Sequence, residues 1–132
     1  MTIRGIRGAI TIDEDQPEPI LSATREMLEG ILTANPTLRA KDIASVLFTV
    51  TDDIASAFPA GAARQMGWDL VPVMCMHEIP VPDSLPLCIR VLIHWNTDLP
   101  QNAIRHAYLR KAIQLRPDLT VAQPASIPRR LL

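Results

Sequence analysis

Arg90 is the residue of this sequence that most needs a chemical explanation, because it lies in the middle of a strongly strand-like segment. The segment runs from Cys88 to Trp95, is rich in β-branched and apolar residues, and is typical of a strand in the core of a sheet. A guanidinium cannot lose its proton to escape burial, so a buried arginine needs an anion beside it. No aspartate or glutamate occurs within the segment. We therefore expect the missing anion to be a ligand.

Other arginines and a few hydrogen-bonding side chains provide the material for an anion site around Arg90. Arg7 lies near the start of the chain between two glycines, and Arg64 and Arg116 lie near the ends of predicted helical segments. Arginine side chains present a planar fork that matches a carboxylate. Further hydrogen-bonding groups are available from Cys75, Glu78 and Tyr108. Together these groups predict a site for a small dianion that carries a hydroxyl group.

Taken singly, each of these residues has a simpler explanation. Cys75 is most typical of a buried core thiol, Glu78 of a solvated carboxylate, and Tyr108 of a half-buried core aromatic. Arg64 and Arg116 are typical of charges near helix ends. Only their combination favours a binding site, and the residues alone leave the identity of the anion open.

Several other chemistries lack their sequence signatures. The chain has no phosphate-binding loop, no dinucleotide fingerprint and no serine in a nucleophile elbow. Its three histidines and two cysteines match no zinc spacing, so we expect no metal and no cofactor. A formal net charge of −1, with two Phe, two Trp and one Tyr, offers neither a basic field nor a stacking platform for nucleic acid.

Length and composition predict a single cytoplasmic domain. A chain of 132 residues with 48% hydrophobic residues is enough for one buried core. The apolar runs are far shorter than a membrane span, so no membrane association is expected. The opening residues pass directly into strand-like sequence without a signal peptide, which favours the cytoplasm and reduced cysteines.

Hydrophobic periodicity predicts a mixed series of strands and helices. The predicted strands are residues 2–12, 44–50, 70–75, 88–95 and 107–109. The predicted helices are residues 17–34, a short helix from Phe58-Pro59 to Gly67, and residues 110–116, with a loop over 79–86. Pro72 indicates that the third strand lies at a sheet edge. This order predicts an α+β fold, a mixed β-sheet packed against helices on one face, and a homo-oligomer that covers the other face.

Five segments closely resemble the AroH-class, monofunctional chorismate mutase family. They are IRGIRGA at 3–9, FPA at 58–60, GWDLVPVMCMHE at 67–78, CIRVL at 88–92, and TDLPQNAIRHAYLRKAIQLRPDL at 97–119. The resemblance implies a homotrimeric pseudo-α/β-barrel with active sites at subunit interfaces. It implies an isomerase that rearranges chorismate to prephenate in aromatic amino-acid biosynthesis, without cofactor or metal. The resemblance extends to about residue 119, which predicts one domain over 1–119. The tail over 120–132 contains two prolines and little periodicity, so we expect it to be mobile.

Carried over by position, the resemblance assigns roles to the candidate residues. Arg90 is expected to bind near the ether oxygen and a carboxylate of chorismate. Arg7 and Tyr108 are expected to contact the enolpyruvyl carboxylate. Glu78 and the region of Cys75 are expected to hold the ring hydroxyl. These five residues form the expected catalytic set.

The resemblance assigns the remaining candidates to the rim and wall of the site. Arg64 and Arg116 are expected to supply positive charge at its mouth. The expected apolar wall consists of Phe58, Ala60, Val73, Met74 and Leu115. The sequence departs from the family at Gly61, where a lysine is common, and at Met74, where a smaller polar residue is common. Both departures concern peripheral affinity rather than the chemistry.

Two other functions are open at this point. An imine-hydrolysing trimer of the Rid type also uses an arginine for a carboxylate at interface sites, but it leaves Cys75, Glu78 and the additional arginines unexplained. A non-catalytic sensor would bind chorismate or prephenate without turnover. Ligand choice separates the first alternative from a mutase, and product formation separates the second.

Overall fold

The chain folds into a mixed sheet with two α-helices, as seen in a computed structural model that describes residues 2–116. The strands in these residues are β1 (Ile3–Thr11), β2 (Ile43–Val50), β3 (Val73–His77), β4 (Cys88–Asn96) and β5 (Ala107–Tyr108). The α-helices are α1 (Pro17–Ala34) and α2 (Ala60–Gln65). Short 3-10 helices cover Ala40–Asp42, Gln101–Ala103 and Arg110–Leu115. None of the described helices is both long and apolar enough to cross a bilayer.

Helix α1 has the predicted bounds, and its ends follow from local chemistry. Pro17 occupies its first turn, where a missing N–H costs nothing. Its buried stripe repeats at helical spacing and includes Ile20, Met27 and Ile31. Asn35 ends the helix, since both its backbone N–H and its side-chain amide donate hydrogen bonds to the carbonyl of Ile31, at 3.0 and 2.9 Å.

The sheet has the strand order β3-β2-β4-β1-β5, which places Arg90 on its central strand. Strand β4 runs antiparallel to both β1 and β2, whereas β2–β3 and β1–β5 are parallel pairs. The mixed sheet of the predicted α+β fold is therefore confirmed. Strand β3 lies at an edge, as Pro72 indicated.

The two faces of the sheet are covered very differently. On one face, apolar side chains of β1, β2 and β4 pack with α1 and α2 into a single buried core. Among residues 2–116, the opposite face is covered at one end, where Ala112 of the last 3-10 helix packs with Ala9, Cys88 and Tyr108. The rest of that face, which we call the open face, carries Arg7 and is not covered by any helix of the described residues.

Two expectations about the elements need correction. The third strand covers Val73–His77 rather than 70–75. Leu70 is almost fully exposed, and regular pairing with β2 starts only after Pro72, which has no N–H to donate. The helical segment predicted at 110–116 is a 3-10 helix instead of an α-helix. The tail over 120–132 lies outside the described residues.

The packing around Gly8 yields a stability prediction. A Cβ at Gly8 would lie 2.9 Å from Ile31 Cδ1, 3.0 Å from Val91 Cγ1 and 3.3 Å from the Ala107 carbonyl oxygen, so these neighbours would have to move to admit it. We expect Gly8→Ala to lower the free energy of unfolding by about 1–3 kcal/mol through overpacking. Urea unfolding at fixed protein concentration measures the change.

Gly5→Ala is the matched control for this prediction. It lies on the same strand, and its new Cβ would be 3.6 Å from Leu92 Cδ1, an ordinary contact. We expect its free energy of unfolding to stay within about 0.5 kcal/mol of wild type. Equal losses in the two variants would show that the close approach at Gly8 is not the cause.

Candidate active site

The open face carries a cavity of about 550 Å³ that contains three of the predicted site residues. Arg7, Glu78 and Arg90 all line it, although they come from β1, from the residue after β3 and from β4. Alternation along the strands explains this meeting, because every second residue of a strand faces the same side of the sheet. Arg7 and Arg90 are 83 positions apart in the sequence, and they share one surface because the sheet places their strands side by side.

Arg90 has a protein partner, which corrects the expectation that no carboxylate accompanies it. Its Nε lies 3.1 Å from Oε1 of Glu78, and the two side chains are only 25% and 20% exposed. The backbone fixes the position of Glu78, since its N–H donates to the carbonyl of Val50 at 2.9 Å. The partner comes from across β2, which lies between β3 and β4. The segment around Arg90 therefore contains no hint of it.

The Arg90–Glu78 ion pair leaves hydrogen-bonding capacity unused. Nε of Arg90 and Oε2 of Glu78 are buried and make no hydrogen bond with any described residue. The 3.1 Å contact is close but is not aligned as a hydrogen bond. Buried polar atoms without partners are costly. A ligand that accepts at Arg90 and donates at Glu78 would remove this cost.

Arg7 supplies a second cation to the same cavity. It lies directly opposite Leu92 of β4, and its side chain is exposed toward the open face. Within residues 2–116, its guanidinium makes no hydrogen bond or ion pair, whereas its backbone N–H donates to Nδ1 of His106 at 2.9 Å. The guanidinium of Arg7 is thus available to an anion in the cavity.

Tyr108 lies on the same sheet face but is buried beside the cavity. Ala9 of β1 pairs with Arg90 on one side and with Tyr108 on the other. Tyr108 is only 1% exposed and packs with Cys88, while Leu115 packs against the edge of the same small cluster. The structure places Tyr108 two strands from Arg90, with β1 between them, and Tyr108 does not line the cavity.

Cys75 and Val73 face the other way. Both are half-buried on the helix-covered side of β3, where they pack against the main core. Met74 alternates with them and is 60% exposed. The structure does not bring the thiol of Cys75 to the cavity that holds Arg90. The role assigned to Cys75 stays a prediction.

The predicted residues around α2 lie apart from this cavity. Phe58 precedes the helix and is 71% exposed, Arg64 is exposed within it, and Ala60 is buried. None of the three lines the cavity of the same chain. Arg116 is half-buried at the end of the described residues and does not line the cavity either. Their assigned roles stay predictions.

Some cavity residues had no signal in the sequence. Leu47 and Thr49 of β2 line the cavity together with Leu92 of β4. Thr49 pairs directly with Arg90 in the sheet register. Alternation within β2 indicates which residues share a face, but it does not indicate that this face meets Arg90. That information lies in the pairing of β2 with β4.

The open face offers cations and hydrogen-bonding groups rather than metal ligands. Among the described residues, no three His, Cys, Asp or Glu side chains are grouped so that they could hold a metal ion. Ser45 and His94 form a pair with Oγ and Nδ1 2.8 Å apart. The cavity is suited to bind a small anion at two guanidinium groups and to accept a hydrogen bond at a carboxylate.

Cys88 yields a prediction about reactivity. Burial raises the pKa of its thiol to about 11, although the positive charge of Arg90 acts in the opposite direction. Only about one thiol in a thousand is then ionised at pH 8, and alkylating reagents attack the thiolate. We expect Cys88 to resist iodoacetamide in the native protein and to react after denaturation. Peptide mass spectrometry measures both, with the half-buried Cys75 as internal comparison. If native Cys88 were labelled at the rate of a free cysteine, the thiol would be neither buried nor raised in pKa, and the prediction would be wrong.

Comparison with known proteins identifies the family. The family model for chorismate mutase type I matches residues 3–119. A chorismate mutase AroH from Thermus thermophilus is 58% identical over 121 residues, which cover 92% of this chain and 99% of the relative. A chorismate mutase AroH from Bacillus subtilis (strain 168) is 46% identical over 124 residues, covering 93% and 97%.

A solved structure supports the same assignment at the level of the fold. The chorismate mutase from Clostridium thermocellum superposes with a TM-score of 0.80 at 46% sequence identity. The match covers 82% of this chain and 96% of that structure. Matches in sequence and in fold thus span most of the chain, and together they show that the chain belongs to the chorismate mutase type I family.

Proposed function

We propose that this protein is a chorismate mutase that rearranges chorismate to prephenate in the cavity of the open face. The observation that carries the proposal is the meeting of Arg90, Glu78 and Arg7 in one cavity, in a chain of this family. Chorismate carries two carboxylates and a ring hydroxyl. These groups match two guanidinium groups and a carboxylate acceptor.

The reaction is unimolecular, so the protein has two tasks. The first is to hold the substrate in a compact chair-like conformer, in which the carbon atoms that will form a bond are close together. The second is to stabilise charge. As the C–O bond breaks and the C–C bond forms, the ether oxygen becomes more negative. A fixed cation at that oxygen stabilises the transition state more than the bound substrate, and this difference accelerates the reaction.

We assign the cation at the ether oxygen to Arg90. Its side chain is held by Glu78, so it needs little reorganisation when the substrate binds. Its buried Nε has unused hydrogen-bonding capacity. Low exposure strengthens the interaction, because water screens the charge less.

Glu78 and Arg7 are proposed to orient the two ends of the substrate. The unpartnered Oε2 of Glu78 is suited to accept a hydrogen bond from the ring hydroxyl. The guanidinium of Arg7 lines the same cavity and is proposed to bind the enolpyruvyl carboxylate, with Tyr108 on the adjoining strand. Cys75 is proposed to act near the ring hydroxyl only through a rearrangement at the end of β3, since its thiol packs on the core side.

We further propose that the enzyme is a homotrimer and that a neighbouring subunit completes each site. Strand β3 lies at the edge of the sheet in residues 2–116, and the chain around it exposes large apolar side chains, including Phe58, Leu70, Met74 and Ile79. Exposed apolar surface of this kind is typical of an interface between proteins. The exposed predicted residues that lie apart from the Arg90 cavity, namely Phe58, Arg64 and Met74, are proposed to reach a cavity of the next copy, with Ala60 and Val73 packed beneath them.

The cellular setting is proposed from the reaction. We propose that residues 1–119 act as one chorismate mutase domain, which agrees with the family match over 3–119. Prephenate formation belongs to aromatic amino-acid biosynthesis, for which we propose a cytoplasmic location. Arg116 and Leu115 are proposed to close the site from the end of the 3-10 helix that precedes the tail.

A turnover assay on purified protein tests this function. Chorismate absorbance is followed over time, and prephenate is identified as the product. We expect enzyme-dependent loss of chorismate with stoichiometric prephenate. Binding of chorismate without turnover would instead indicate a sensor, and hydrolysis of an imino acid without chorismate binding would indicate the Rid-type alternative.

The electrostatic role of Arg90 predicts a large effect on the chemical step. We expect Arg90→Ala to lower kcat by roughly 10²–10³, as does the loss of one oxyanion-type donor. Arg25→Ala, at an exposed arginine of α1, is the control and is expected to keep the wild-type kcat. Steady-state kinetics and size-exclusion chromatography check turnover and assembly together. A near-normal kcat in an intact Arg90→Ala protein would remove Arg90 from this role.

Arg7 is expected to act mainly through binding. Its guanidinium meets a carboxylate that is present in both the bound substrate and the transition state, so its loss weakens both. We expect Arg7→Ala to raise KM for chorismate by about tenfold or more, as for a lost charged hydrogen bond, with a smaller loss in kcat. Wild-type values of both constants would place Arg7 outside the site.

A further inference from the structure

Side chains, rather than a strand, close one edge of β1 near Arg7. Strand β5 pairs with β1 only from Gly8 onward. At Gly5, the side-chain amide of Gln101 replaces a strand, since its Oε1 accepts the Gly5 N–H at 3.2 Å and its Nε2 donates to the Gly5 carbonyl at 2.8 Å. Between these two points, Nδ1 of His106 accepts the N–H of Arg7 at 2.9 Å. The hydrogen bond to His106 is thus the link at this edge that acts directly on Arg7.

The geometry determines the state of the imidazole. A nitrogen that accepts a hydrogen bond carries no proton, so His106 is neutral and its proton is on Nε2. Burial lowers the pKa of His106, and the positive charges of Arg116, Arg7 and Arg105 act in the same direction. The neutral form that accepts from Arg7 is therefore the form present at neutral pH.

We propose that His106 is a positioning residue for Arg7. Its hydrogen bond fixes the backbone of β1 at Arg7, and this backbone position directs the guanidinium into the cavity. This inference rests on the proposed function, in which Arg7 binds a substrate carboxylate. The guanidinium of Arg7 makes no hydrogen bond or ion pair within residues 2–116, so packing and the backbone set its direction. An unfixed edge at Arg7 would let the side chain sample more positions, and binding would then cost more entropy.

Protonation of His106 would break its hydrogen bond with Arg7, because the protonated Nδ1 would be a donor that faces the donor N–H of Arg7. The charged groups that act on the imidazole are Arg7 of β1, Arg105 of the preceding segment and Arg116 beyond the 3-10 helix, and all are cationic. The pKa of His106 in the folded protein lies below its ordinary value. The hydrogen bond from the Arg7 N–H therefore stabilises the folded protein fully above about pH 6.5, and this stabilisation is lost as the pH falls through the lowered pKa.

Two substitutions at His106 separate the acceptor from the bulk of the ring. His106→Asn keeps an acceptor near the position of Nδ1, whereas His106→Leu removes it. We expect His106→Leu to raise KM for chorismate about tenfold, with kcat within about threefold of wild type, as for one lost hydrogen bond that orients a binding group. His106→Asn is expected to restore KM to within about threefold of wild type.

Gln101→Leu is the matched control, because it opens the same edge of β1 at Gly5 without touching the link to Arg7. We expect its KM to match that of wild type. Amide hydrogen exchange gives a readout that does not depend on turnover. The Arg7 amide should exchange much faster in His106→Leu than in wild type, His106→Asn or Gln101→Leu. In wild type, ¹⁵N NMR should show an unprotonated Nδ1 and a titration midpoint below 6.5.

Three results would overturn the proposal. They are an Nδ1-protonated imidazole in wild type, an unchanged KM and Arg7 exchange rate in His106→Leu, and equal defects in His106→Asn and His106→Leu. A wild-type protein that does not turn over chorismate would contradict the proposed function instead. The tautomer and the Arg7 exchange rate would still decide whether His106 holds Arg7.

Discussion

The permanent charge of Arg90 on the central strand of the sheet is the constraint around which this structure is arranged. A guanidinium at 25% exposure needs an anion, and Glu78 supplies one from beyond β3, across the intervening strand β2. The pair neutralises the charge, but Nε of Arg90 and Oε2 of Glu78 make no hydrogen bond with the part of the chain that the structure describes. The ion pair thus holds Arg90 in place before a ligand binds. Its unused donor and acceptor also favour a ligand with complementary groups.

The unequal covering of the sheet makes this site accessible. Helix α1 closes one face with a continuous core, while the described part of the chain closes the opposite face only near Tyr108, by a short 3-10 helix. The cavity with Arg90 lies on the uncovered part, next to exposed methionines of β3. A single chain therefore presents a cationic cavity beside apolar surface, which agrees with the proposal that a neighbouring copy completes the site.

Local patterns in the sequence predicted what depends on local structure. The apolar stripe and Pro17 gave the bounds of α1, and the β-branched run around Arg90 gave β4. The partnership of Arg90 with Glu78 was missed because it depends on strand pairing, which connects distant segments. The side on which Cys75 lies also depends on that register. The link from His106 to Arg7 lies at the end of an irregular segment that has no periodicity to read.

The central claim is that the open face carries one part of the active site and a neighbouring copy carries the rest. Mixing subunits tests it directly. Arg90→Ala and Arg64→Ala proteins are assayed separately for chorismate turnover, and again after being unfolded together and reassembled, with native mass spectrometry to confirm mixed oligomers. If each site combines Arg90 of one chain with Arg64 of the next, about a quarter of the sites in an equal mixture regain both arginines. Turnover well above the mean of the two variants is the predicted result. Turnover equal to that mean, in confirmed mixed oligomers, would contradict the account.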